Sequence, residues 1–216
     1  MWQQQLVKQI SERLPAGAAL EVVGSTRDEG TVDGWSDLDL HLRLPQDFKL
    51  VELLAGSHLW AAELTQTPEG QVVRAVLADG RRVDLLVETG CLVLPSLAPD
   101  NDVRFLAALA ATKIGRHDRL IGLHLLLELL QACLIQAMLL PDRDEGTHIH
   151  RTGSSLDRLA DDVARIAQLP LDTAGRPNVV ERTVNLYGQW RSHLEPGYEP
   201  DWSGLAAVVT RGFEKP

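Results

Sequence analysis

Cysteine is nearly absent, with Cys91 and Cys133 the only two in 216 residues, and their separation is not that of metal ligands. Both sit within or beside apolar runs and read as reduced core residues of a cytoplasmic protein. Positive charge is also short. The 21 Lys and Arg against 30 Asp and Glu give a net charge of −9, which argues against a broad nucleic-acid-binding surface. The start, Met1-Trp2-Gln3-Gln4-Gln5, lacks a basic segment followed by an apolar stretch, so no signal peptide is expected. Internal repeats and low-complexity tracts are missing as well. What remains is an ordinary globular composition, 44% hydrophobic and 24% charged, in a chain long enough for one large domain or two small ones.

One long apolar run needs a membrane test. Leu120–Leu140 is leucine-rich, but it carries His124, Glu128, Gln131 and Gln136. At 100° per residue the first three fall within about 60° of one another, a narrow polar stripe on an apolar helix. A bilayer span tolerates such a stripe poorly. The expectation is a central helix of a soluble domain with its stripe facing a cleft.

Along the chain, spacing predicts a helix over 2–14 and a strand over 19–23, then a glycine-rich turn with a loop or short helix over 24–36. Residues 37–44 alternate polar and leucine positions and predict a half-buried strand closed by Pro45. A helix is expected over 46–56. Val72–Ala78 and Arg81–Val87 flank Asp79-Gly80 and predict a hairpin with a two-residue type I′ turn. From Pro99 onward only helices are expected, over 102–114, 118–140, 154–169, 178–194 and 203–213, with Ser154 as a capping residue. The predicted architecture is an α/β domain over 1–98, a mixed sheet with flanking helices, followed by an all-α domain over 99–216.

The most informative residues are three carboxylates. Asp37 and Asp39 stand one residue apart on a predicted strand and so point the same way, and Asp84 lies on another strand. Upstream, Gly24-Ser25 ends the apolar segment 19–23. Strand, Gly-Ser turn, Asp-x-Asp strand and a later strand Asp can converge on an oxygen-lined site for Mg²⁺, which commonly binds one or two carboxylates together with substrate phosphates.

The run Val22-Val23-Gly24-Ser25, eleven intervening residues, Asp37-Leu38-Asp39-Leu40 and the downstream Asp84 resembles the polymerase-β-type nucleotidyltransferase superfamily. The likeness is greatest to small aminoglycoside and lincosamide nucleotidyltransferases with a helical C-terminal domain. The resemblance implies that Asp37, Asp39 and Asp84 are catalytic and hold two Mg²⁺ ions. Gly24 and Ser25, helped by Thr26 and Arg27, would hold nucleotide phosphates, and Lys113 would neutralise them. On the polar stripe of the 118–140 helix, Glu128 would face a small hydroxylated acceptor such as an antibiotic or pair with a structural partner such as an arginine. His124, one turn before it, would face the same acceptor or be a satisfied core histidine. Ser36 reads equally as a turn residue, and no nucleic-acid or membrane partner is expected. Trp190, Trp202 and Phe213 could form a homodimer surface or complete the core.

Two other readings compete. Arg143 with His148 and His150 resembles the short Arg…His motif of HEPN-type ribonucleases, which pair with nucleotidyltransferase-fold antitoxins. A non-catalytic nucleotide-binding protein is the third.

Overall fold

The computed structural model describes residues 2–24, 33–54, 56–146, 157–173 and 175–214. They form two compact units: Met1–Phe105 together with Ala206–Pro216, and Leu106–Leu205. The fold is mixed α/β, with a five-stranded mixed sheet and, among the described residues, seven α-helices.

In the first unit, α1 (Trp2–Ser11) leads into β1 (Ala19–Val23), β2 (Leu38–Arg43), β3 (Phe48–Lys49), the single turn α2 (Leu50–Leu53), β4 (Leu59–Thr67), β5 (Gly70–Leu77), β6 (Arg82–Thr89) and β7 (Leu92–Val93). Strand order in the main sheet is β1-β2-β6-β5-β4, and β3 pairs with β7 in a small separate ladder. Within the main sheet only β2 and β6 are parallel and the other neighbours run antiparallel, while β3 and β7 are parallel.

Burial alternates along β2 and β6, as a sheet with one covered face requires. Leu38, Leu40 and Leu42 of β2, Val83, Leu85 and Val87 of β6, and Val73, Ala75 and Leu77 of β5 share one core. Leu6 and Ile10 of α1 and Leu50 and Leu53 of α2 join it, so these helices cover that face. The residues between them, Asp39, His41 and Asp84 among them, therefore stand on the opposite face.

Two buried amide side chains hold backbone groups that the ladders leave over. Asn101 accepts from the Ala62 N–H at 2.9 Å and donates to the Ala62 carbonyl at 2.8 Å. Because β4 is the last strand of the sheet, this amide stands where a further strand would pair. Gln71 does the same for Leu92, donating to its carbonyl at 3.2 Å and accepting from its N–H at 2.7 Å.

Several expectations need correcting. Helix 46–56 shrinks to one turn because Phe48 and Lys49 extend to pair with Leu92 and Val93. Strand β4 was not expected at all; Glu63, Thr65, Gln66 and Thr67 blur its apolar signal near the sheet edge. The hairpin loop has three residues, not two. Leu77 pairs with Arg81 through its N–H, and of Asp79 and Gly80 only the glycine has positive φ, +81°. A type I′ turn needs positive φ at both. The structure instead has the three-residue loop that ends on a left-handed glycine.

The second unit holds α3 (Asn101–Gly115) from Leu106 onward, α4 (Arg119–Glu145), α5 (Leu159–Ala167), α6 (Asn178–Leu194) and the start of α7 (Ser203–Gly212). Helix α4 packs on α6 and α5, burying Leu125, Leu126, Leu129, Leu130 and Cys133. It continues past Pro141 to a left-handed cap at Gly146, beyond the expected end at 140. Burial of Leu140 and Asp142 and the Arg143 bond to the His193 carbonyl anchor this last turn. Among the described residues α4 is also the one helix long and apolar enough to cross a membrane. The expected cap at Ser154 lies outside the described residues. Cys133 is buried, which pushes its thiol up to about 12, and Cys91 is half-buried; both are free.

Replacing Asn101 by Ala strands a buried N–H and a buried carbonyl. Denaturant unfolding should show a loss of about 1–3 kcal/mol. Asn101→Asp, which keeps the acceptor but loses the donor, should not recover it.

Candidate active site

The three carboxylates stand on the face of the sheet opposite α1 and α2. Asp39 and Asp84 are register partners on the parallel strands β2 and β6, where neighbouring backbones lie about 4.8 Å apart. Partners in register project to the same face, and Asp37, two residues before Asp39, stands one step toward the strand start. The row continues across the sheet: Asp84 lies opposite Arg74 of β5, and Arg74 opposite Glu63 of β4. A one-residue slip of the hairpin would have put Ala75 opposite Asp84 and turned Arg74 into the core.

Two arginines partly neutralise this acidic row. Arg74 Nε lies 3.5 Å from Asp84 Oδ2, and its Nη1 donates to Glu63 at 3.1 Å. Arg82, nearly buried, lies 3.3 Å from Asp37 Oδ2 and donates to the Trp35 carbonyl at 2.6 Å. It thereby ties Asp37 and the turn before it to β6. That turn is closed by Ser36, whose Oγ accepts from the Asp33 N–H at 3.0 Å and donates to the Asp33 carboxylate at 2.8 Å. Ser36 is thus a buried turn residue, one of the two roles its position allowed.

The C-terminal segment backs the same turn. A Cβ on Gly34 would stand 2.4 Å from the Arg211 carbonyl oxygen, and one on Gly212 would stand 2.2 Å from the Trp35 ring. Phe213 meets Trp35 edge to face with centroids 5.6 Å apart.

Gly24 is the second contact that shapes the site. It follows β1 with φ of +70°, and a Cβ there would stand 2.2 Å from Asp39 Oδ2. Only glycine lets the backbone approach the carboxylate so closely in a left-handed conformation. Ser25, Thr26 and Arg27, the remaining expected phosphate-loop residues, lie outside the described residues.

Crowding shows in the electrostatics. Burial, and then the charge of Asp37, raises the Asp84 carboxyl to about 6 despite Arg74 and Arg82. Asp39 is raised too, by burial and by Asp37, against Arg82 and His41. As a donor set, carboxylate oxygens on one face suit a hard divalent cation. Among the described residues, however, no group of three or more Asp, Glu, His or Cys side chains is gathered closely enough to hold a metal ion. The register pair Asp39 and Asp84 fits a cation of the kind that takes two protein carboxylates and completes its shell from phosphate and water. Asp37 stands beside that pair, engaged by Arg82.

The other expected residues belong to the second unit. Lys113 Nζ lies 3.5 Å from Asp118 Oδ2 near the end of α3. On α4, His124 Nε2 and Glu128 Oε1 are 2.9 Å apart, a pair one turn apart on an exposed face otherwise rich in leucine. Arg143 bonds Asp144 and the His193 carbonyl, while His148 and His150 lie outside the described residues. Trp190 is buried in the unit core and Trp202 packs on Tyr187. No protein-family model matches the chain, and no curated protein matches it significantly.

Sequence reading missed Arg74, Arg82, Gly34 and Gly212. Arg82 was detectable, since it sits two residues before Asp84 and shares its face. Arg74 needed the correct hairpin register.

Two outcomes follow for variants. Gly24→Ala should cost about 1–2 kcal/mol through its left-handed backbone and displace the Asp39 carboxylate. For Asp84, the folded value of about 6 exceeds the ordinary 3.8, so the native state binds this proton more tightly. Stability from this group is therefore greatest below the unfolded value and falls as pH rises through the folded one. Relative to Asp84→Asn, wild-type stability should decline between about pH 4 and 6. A flat or rising difference would contradict the assignment.

Proposed function

We propose that the protein is a Mg²⁺-dependent nucleotidyltransferase of the cytoplasm. It would move a nucleoside monophosphate, AMP in the first instance, from a nucleoside triphosphate to a hydroxyl of a small acceptor. The observation that carries this reading is the register pairing of Asp39 with Asp84, with Asp37 on the same face and the Gly24 backbone pressed against Asp39.

Asp39 and Asp84 would hold the ion, with Asp37 joining them. Bound there, Mg²⁺ would supply charge neutralisation for the phosphates of the nucleotide. Gly24 brings the end of β1 against Asp39, and Ser25, Thr26 and Arg27, which would hold the phosphates, follow it in the chain. Arg74 and Arg82 offset the carboxylate charge in the interim and can turn toward phosphate oxygens, which guanidinium groups bind well. Asp84, beside the ion, would also accept the acceptor hydroxyl proton. Positioning and charge would supply most of the rate.

An acidic chain suits a polycationic acceptor such as an aminoglycoside, and an apolar helical unit suits a lincosamide. In both cases transfer would confer antibiotic resistance. Lys113 keeps its proposed role of neutralising the nucleotide phosphates.

The test is incubation with each nucleoside triphosphate, Mg²⁺ and a panel of hydroxylated antibiotics, reading acceptor-dependent pyrophosphate release. Wild type should release pyrophosphate with at least one acceptor. Asp39→Asn should lower the rate by about a thousandfold or more while circular dichroism stays unchanged. Full activity in Asp39→Asn would refute the reading.

A further inference from the structure

Helix α4 has two apolar faces, and packing within its unit uses only one. The buried face, carrying Leu125, Leu126, Leu129, Leu130 and Cys133, meets α5 and α6. On the opposite face Leu120 is 88% exposed, Leu127 55%, Ile135 44% and Met138 41%. Leu123, Leu134 and Leu139 are exposed as well. Together they present roughly 600 Å² of apolar side chain, at the upper end of what monomeric proteins leave bare.

The pattern on this face is ordered. Residues 120, 124, 127, 131, 134 and 138 are all exposed and recur at alternating steps of four and three. That is the 3.5-residue repeat of a seam that winds against another helix. The seam's ionisable groups are His124 and its neighbour Glu128, which pair with each other at 2.9 Å. At the middle stands Gln131, and around it the apolar residues are symmetric: Leu127 and Ile135 lie four residues either side, Leu123 and Leu139 eight.

We propose that this face is a self-association surface, on which α4 packs antiparallel against α4 of a second copy, with the twofold axis at Gln131. In that arrangement Leu127 meets the second copy's Ile135, while Leu134 and Met138 lie across from its Glu128 and His124. The two Gln131 amides lie together, and each carries both a donor and an acceptor, so they satisfy one another. A single polar residue in such a seam fixes register. Roughly 600 Å² from each copy gives a total near the lower limit of a specific interface, so the dimer is of moderate affinity. A bilayer is the poorer occupant. It would bury His124, Glu128 and Gln131 in hydrocarbon at the middle of the helix, while α5 and α6 hold its other face. The inference is independent of the nucleotidyl-transfer reading.

Sedimentation velocity across a concentration series tests it, with the chain mass of 23.8 kDa as reference. Wild type should move from monomer to dimer in the micromolar range. The double variant Leu127→Glu with Ile135→Glu should associate at least about a hundredfold more weakly, since it places like charges opposite each other at the centre. Both positions are exposed, so its circular dichroism should match wild type, as should its melting temperature at concentrations where wild type is monomeric. Gln131→Cys, under mild oxidation, should form a covalent dimer, whereas Leu120→Cys, far from the axis, should not. A wild-type monomer at all concentrations, an undiminished dimer in the double variant, or equal cross-linking at both positions would overturn the proposal. So would a monomer that floats with phosphatidylcholine vesicles.

Discussion

The parallel pairing of β2 with β6 is the constraint on which the site depends. It sets Asp39 beside Asp84 on adjacent strands, with Asp37 just ahead, and three carboxylates on one small area repel. Nothing local in β2 or β6 rewards that arrangement. The register holds because the other face of the same strands carries Leu38, Leu40, Leu42, Val83 and Leu85 into the core. Sliding by one residue would exchange leucines for aspartates on the covered face, at a cost far above the repulsion avoided. Apolar burial on one side thus holds charge together on the other.

The remaining strain is distributed over specific neighbours. Arg74 and Arg82 answer Asp84 and Asp37, and the carboxyl of Asp84 rises to about 6. Where backbone must come close, glycine allows it: Gly24 against Asp39, and Gly34 beside the Arg211 carbonyl. Asn101 and Gln71 complete the hydrogen bonding of Ala62 and Leu92 with buried amides, sparing each a desolvated donor and acceptor. These long-range contacts all act on the backbone around the sheet.

Much of this was legible in sequence where one periodicity dominated. Strand 19–23 and helix 178–194 fall where spacing predicts them, and the alternation of Asp37, Asp39 and His41 with leucines assigned their face correctly. The failures share a cause. Phe48–Lys49 became a strand, and β4 arose from a mixed polar run, because pairing partners distant in sequence overrode local preference. Asp79-Gly80 signalled a hairpin but not its loop length, and that one residue decided that Arg74 rather than Ala75 lies across from Asp84. The two faces of α4 were likewise hidden, since a helix apolar on both sides has almost no directional signal. The polar stripe at His124, Glu128 and Gln131 marked the exposed face, with leucines on either flank.

The central claim is that Asp39 and Asp84 act together on a divalent cation. Electron paramagnetic resonance of Mn²⁺, titrated with a nucleoside triphosphate present, measures this without requiring the acceptor. Wild type should remove free Mn²⁺–nucleotide from solution saturably, and Asp39→Asn and Asp84→Asn should each weaken that binding by about tenfold or more. Undiminished binding in both variants would contradict the account.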